Sequence, residues 1–269
     1  MPELATYAAQ RYVQPLREGG SLPAVVETEG GLFVVKFRGA GQGPKALVAE
    51  LIVGLLARAL ELPVPELALV ELDPLFGRSE PDPEIQDILR RSHGTNVGLR
   101  YLDGAFNFDA TAAGDLLPAE LAARIVWLDA FTTNPDRTHR NPNILVWRRT
   151  PWLIDHGAAL YAHHDWARVD DARVRTPFPL IAQHVLLARS GEIEAADAHA
   201  TAVLADTSLH DVLAAVPDTL LGENAAADRE RYAHYLRTRL AAPREFVAEA
   251  MAARERVRRT PPQALSARR

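Results

Sequence analysis

Two stretches decide the reading of this chain: Asn134-Pro135-Asp136-Arg137-Thr138-His139-Arg140-Asn141-Pro142-Asn143-Ile144-Leu145, and shortly after it Leu153-Ile154-Asp155-His156-Gly157. The first is a polar loop that holds three of the chain's six asparagines. Residues 143–147 and 152–154 read as short strands around a turn at 148–151, so the chain should double back. Asp136 and Asn141 lie five positions apart on one loop, and Asp155 follows Asp136 by 19 positions at a strand exit. The intervening strand, turn and strand bring Asp155 back beside Asn141. Gly157 is expected to take a backbone conformation closed to bulkier residues.

Phosphoryl transfer asks for such a set. A carboxylate must orient the attacking hydroxyl or accept its proton. A carbonyl oxygen and a second carboxylate must hold magnesium against the phosphates. Asp136, Asn141 and Asp155 offer base, metal amide and metal carboxylate in that order. Taken singly, each position is ordinary: Asp136-Arg137 suits an Asx turn, and Asp155 before a glycine suits a plain β-turn. The combination carries the expectation.

Towards the N-terminus, 24–27 and 32–37 read as hairpin strands about a turn at Glu29-Gly30-Gly31. Lys36 sits on the returning strand, placed to meet the α/β phosphates. Of 30 basic residues only Lys36 and Lys45 are lysine. A lysine kept against such an arginine bias favours a need for a compact ammonium over a guanidinium fork. Pro44 then opens a helix, with an apolar stripe built from Leu47, Leu51 and Leu55 and from Ile52, Leu56 and Leu60. Glu50 lies opposite that stripe. It either faces solvent or, if its face looks into a cleft, pairs with Lys36. The loop Gly19-Gly20-Ser21 can cover phosphates with its backbone N–H groups, or is only a turn.

The run Val34-Val35-Lys36-Phe37-Arg38-Gly39, then Leu62-Pro63-Val64-Pro65-Glu66, then Asn134-Pro135-Asp136 to Asn141, then Ile154-Asp155-His156-Gly157 resembles the HipA-like kinase family, itself distantly similar to phosphoinositide kinases. The resemblance covers roughly 17–160. It implies an α+β, two-lobed protein-kinase-like fold that uses ATP and Mg2+, with Asp136 as catalytic base, Asn141 and Asp155 as magnesium ligands and Lys36 as phosphate contact. Gly19, Gly20 and Ser21 would cover the phosphates, Glu50 would support Lys36, and Arg100-Tyr101-Leu102 would match the adenine-binding hinge. Asp-His-Gly stands where protein kinases carry Asp-Phe-Gly, and Asn134-Pro135 rather than His-Arg precedes the loop aspartate. Ser21 and Thr176 are candidate self-phosphorylation sites by the same analogy.

Composition sets the outer limits. The chain has 269 residues, 48% of them hydrophobic, enough for one large domain or two lobes sharing a cleft. A formal charge of −5 gives no basic excess for nucleic acid, so no nucleic-acid partner is expected. The absence of cysteine excludes disulfides, zinc thiolates and thiol nucleophiles. The longest apolar stretch, 46–60, is interrupted by Glu50 and Arg58, and no signal segment precedes it, so no membrane span and a cytoplasmic location are expected. A β-rich lobe is expected over 1–102 and a helical lobe over 103–269, with an irregular insert at 73–94, a long helix over 227–251 and a disordered tail from about 254. The expected reaction is Mg-dependent transfer of the ATP γ-phosphoryl to a hydroxyl of a protein, lipid or small molecule. The rivals are an ATP-binding pseudokinase or sensor module, and a metal-dependent phosphohydrolase using the cluster His156, His163, His164 and Asp165.

Overall fold

Alternating apolar residues in the first hundred positions call for strands, and the structure, a computed structural model describing residues 4–16, 22–78, 80–112 and 114–259, closes five of them into a barrel. Around it run β1 (Ala5–Pro15), β2 (Ala24–Thr28), β3 (Gly31–Lys36), β5 (Gly94–Arg100) and β4 (Leu67–Leu72). β1 pairs antiparallel with β2 and parallel with β4, which leaves no open edge between them. The β2–β3 turn falls where the glycines predicted it. Gly31 has φ +106°, and the Thr28 hydroxyl accepts from the Gly30 N–H and donates to the Gly31 carbonyl. Val26, Phe33, Val35, Val70 and Leu72 fill the barrel.

The region read as an irregular insert contains a helix, α2 (Pro83–Arg90). Asp82 caps it by accepting from the Glu84 and Ile85 N–H groups, and Pro83 fits its first turn. Ile85, Ile88 and Leu89 join the barrel core. The aspartates and prolines that suggested a loop are therefore helix-start signals.

Helix α1 (Gly43–Ala59) is buried nearly all round: every residue from Ala46 to Ala57 is buried, Glu50 included. A helix apolar on all faces has to lie between two layers. On one side α1 packs against β4 and β5, on the other against α6 (Asp206–Ala214) and the turn Asp218–Leu220. Its apolar residues share one core with the helices of the second half.

That second half contains a small sheet, β6 (Phe106–Asn107), β7 (Ile144–Trp147) and β8 (Thr150–Leu153), and the helices α3 (Ala119–Phe131), α4 (Asp171–Val174), α5 (Ile193–Val203), α6, α7 (Ala225–Leu240) and α8 (Glu245–Arg259). The β7–β8 turn is shorter than 148–151: Arg148 and Arg149 both have positive φ, as a two-residue hairpin turn requires. Trp127 stacks on Phe131 at 5.0 Å, and Phe246 packs against both, tying α3 to α8. The single helix expected over 227–251 is two, because Pro243 cannot continue a helix and biases its predecessor away from one. The expected disorder from 254 is also corrected. Helix α8 runs to Arg259, where Arg254 and Arg258 bond the Ser190 carbonyl and Arg254 pairs with Glu192. Residues 260–269 lie outside the described ones.

Candidate active site

The Lys36 side chain, only 10% exposed, is held between two carboxylates. Its Nζ donates to Glu50 Oε2 at 2.6 Å and to Asp155 Oδ1 at 2.5 Å. Strand β3 delivers the lysine, α1 the glutamate and the exit of β8 the aspartate, so three elements distant in sequence converge. Burial pushes the Lys36 ammonium down, but Glu50 and Asp155 outweigh it and leave the lysine above its ordinary value. Burial likewise pushes the Asp155 carboxyl up, and Lys36 outweighs it, so Asp155 stays below the usual carboxylate range. Lys36 and Asp155 are therefore both charged near neutral pH. The Asp155 side chain remains 42% exposed, so the cluster opens to solvent through this carboxylate.

Glu50 therefore takes the cleft-facing alternative. Its side chain is fully buried, and Oε2 also accepts from the His156 N–H at 2.7 Å. Gly157 does not take the special conformation expected of it. Asp155 does, with φ +56°, whereas a Cβ at Gly157 would meet the Ala46 carbonyl at an ordinary 3.5 Å. The left-handed turn at Asp155 lets its carboxylate and the next N–H face Lys36 and Glu50 together.

Asp136 is presented by the polar loop. Its N–H donates to Asn134 Oδ1, and its Oδ2 accepts from Asn141 Nδ2 at 3.0 Å and Asn143 Nδ2 at 3.2 Å. Both amides point their nitrogens at Asp136, which turns their carbonyl oxygens elsewhere. Asn143 was not singled out by sequence reasoning. It is 8% exposed with φ +49°, a conformation asparagine tolerates better than most residues. Its place in the same asparagine-rich run was the available signal.

Arg137 was also missed. It is the side chain that joins the two stretches. Its guanidinium has no exposed surface and spends every N–H: Nε and Nη2 on Asp129, Nη1 on the Asn143 and Ile154 carbonyls, and Nη2 also on His156 Nδ1 at 3.3 Å. Asp129, fully buried on α3, further accepts from Asn134 Nδ2 and His184 Nε2. Burial would raise its carboxyl, but Arg137 and His184 hold it well below the usual range. The Ile154 N–H bonds the Asn143 carbonyl at 3.1 Å, which seats the Asp136 loop directly beside the Asp155 turn.

Other expected contacts stand differently. Gly19, Gly20 and Ser21 lie outside the described residues. The Arg100 guanidinium is committed to Glu66 and the Gly30 carbonyl and lies over Phe33 at 4.2 Å. The Arg100 and Tyr101 N–H groups are taken by the Glu66 and Leu32 carbonyls, so neither is available to a base edge, and only Leu102 of that triplet keeps its N–H outside these bonds. Among the described residues no group of three or more His, Asp or Glu side chains is placed to hold a metal ion. His163 instead faces Tyr232 and His164, with Lys45 on its carbonyl at 2.5 Å.

A barrel beside a helical half, with lysine, glutamate and aspartate meeting between them, is an α+β, kinase-like fold. The profile of the HipA-like kinase family matches residues 12–241. The chain belongs to that family, and it is a kinase. Among solved structures it is similar to the Helicobacter pylori proinflammatory kinase CtkA, at 11% identity and a TM-score of 0.58, over 94% of this chain and 99% of that one. No curated protein is a significant match.

Proposed function

We propose that this kinase transfers the γ-phosphoryl group of ATP to a hydroxyl, with serine or threonine of a protein as the favoured acceptor, and that the barrel side (1–102) and helical side (103–269) are two lobes closing on the nucleotide. One observation carries the reading: Lys36 is held by Glu50 and Asp155, while two asparagines hold Asp136 on a loop that the Ile154 N–H ties to the Asp155 turn through the Asn143 carbonyl.

The donor set fits magnesium. Asp155 offers an open carboxylate oxygen, and Asn141 and Asn143 offer amide carbonyls, hard ligands of the kind that cation takes alongside phosphate oxygens. When bound, the ion supplies neutralisation of the charge on the transferring phosphate.

The chain's own residues do the rest. Asp136, with one oxygen fixed by amides, orients the acceptor hydroxyl and takes its proton as the new P–O bond forms and the bond to the ADP oxygen breaks. Lys36 lowers the charge barrier at the phosphates, and Glu50 fixes its direction. The backbone near Leu102 reads the adenine edge, since Arg100 and Tyr101 are already engaged. Support for a site between β3 and the Asp136 loop comes from the left-handed Asp155, a strained position of the sort that gathers at reactive sites.

Asp136→Ala should bind a fluorescent ATP analogue as the wild type does and lose transfer by at least about a hundredfold. Asp155→Ala should weaken Mg-ATP binding as well. Transfer unchanged in either variant refutes the assignment. Nucleotide binding without transfer by the wild type would instead mark a sensor module.

A further inference from the structure

His156 occupies a position that costs the fold something. Its ring is fully buried, and Nε2 has no hydrogen-bond partner. Guanidinium groups only donate, so Nδ1, 3.3 Å from Arg137 Nη2, must be the unprotonated nitrogen and the proton must sit on Nε2. A buried donor left unmade is unfavourable, and an apolar ring of the same size would avoid the loss. What an apolar ring cannot do is accept from Arg137. That contact takes the last N–H of a guanidinium whose other donors are already committed to Asp129, Asn143 and Ile154.

The place of this contact in the chain gives it consequence. Arg137 follows Asp136, and His156 follows Asp155. The His156 N–H donates to Glu50 Oε2, the oxygen that also receives Lys36. One residue therefore touches the lysine's support through its backbone and the Asp136 loop's anchor through its ring. We infer that His156 is a positioning residue that locks the Lys36–Glu50–Asp155 cluster in register with the Asp136 loop, by accepting from Arg137 through Nδ1. The inference rests on the kinase reading for its consequence in rate, but its geometric content stands apart from it.

Three variants separate the ring's roles. His156→Asn sets an amide oxygen near the position of Nδ1 and keeps the acceptor. His156→Gln sets its amide near Nε2 and loses it. His156→Phe fills the volume with no acceptor. Hydrogen exchange of the full-length protein is read at the amides of 136–143 and 154–156. The expected result is exchange at least about fivefold faster in both segments for the Phe and Gln variants, and near wild type for Asn. Transfer of label from γ-labelled ATP to the chain itself or to dephosphorylated casein should fall at least about tenfold in kcat for Phe and Gln, with KM for ATP within about twofold, and Asn should recover it.

Exchange unchanged in the Phe and Gln variants overturns the inference whether or not the wild type transfers phosphate. So does equal loss in all three, which would make the ring a filler. If the wild type transfers nothing while exchange behaves as expected, the kinase chemistry fails and the positioning role stands. Should the Phe variant not fold, the Gln variant carries the same comparison.

Discussion

Arg137 shows how a charged side chain can be spent wholly on architecture. It is paired with Asp129 at 2.6 Å with neither side chain exposed. Removing one partner of such a pair leaves the other charge stranded, and Arg137→Ala should cost about 3–5 kcal/mol, read as a lower denaturation midpoint in urea. A loss under about 1 kcal/mol would mean that the pair is not closed off from water. Glu50→Gln asks a narrower question. It keeps size and burial but removes one of the two carboxylates facing Lys36, so kcat/KM for ATP should fall at least about tenfold, and the melting temperature should fall as well because a buried ammonium loses one of its two partners. Unchanged kcat/KM would show that Asp155 alone positions the lysine. Asp136, Asn141 and Asp155 could be proposed together from the sequence because their spacing is local to a hairpin. Arg137 was hidden because nothing in a linear pattern distinguishes a loop arginine bonded to Asp129, His156 and two carbonyls from one in solvent.

Helix α1 decides how the two halves meet. Leu47 and Leu56, about two and a half turns apart, lie on opposite sides of it and both are buried, at 2% and 0% exposure. Each should cost about 2–5 kcal/mol when cut to alanine. A surface helix would lose stability on one face only, so a near-neutral result at either position, measured by chemical denaturation, would contradict the two-layer packing. This burial also explains the ambiguity over Glu50. The leucine stripe correctly signalled a helix, but a wheel assumes one wet face, and α1 has none. The hairpin of β2 and β3 was legible because Gly30-Gly31 supplies a turn and alternation supplies the strands. α2 was not, because its Asp-Pro start resembles loop composition, and closure of the barrel by β1 and β4 depends on pairing across more than sixty residues.

For the whole molecule, acid should act through buried histidines. Burial pushes His156 down to about 4 and His163 down to about 3, and it lowers His184 too, whose Nδ1 accepts from the Leu186 N–H. These folded values lie below the ordinary one near 6.5, so the unfolded chain binds the extra protons. The stability they contribute is full above that ordinary value and is lost as pH falls towards the folded values. Each histidine adds a slope of up to about 1.4 kcal/mol per pH unit in that window. Unfolding free energy should therefore drop steeply between about pH 6.5 and 4.5, and a flat profile there would show these rings to be already charged or exposed. No described helix is long and apolar enough to cross a membrane.

The central claim is that Asp136, on its loop, and Asp155, paired with Lys36, move a phosphate from ATP. Its most direct test is incorporation of label from γ-labelled ATP by purified wild type, Asp136→Ala and Asp155→Ala proteins, each with magnesium and with the ion chelated. The account predicts label only in the wild type and only with magnesium. Label in Asp136→Ala at the wild-type rate, or equal label without the ion, would contradict it.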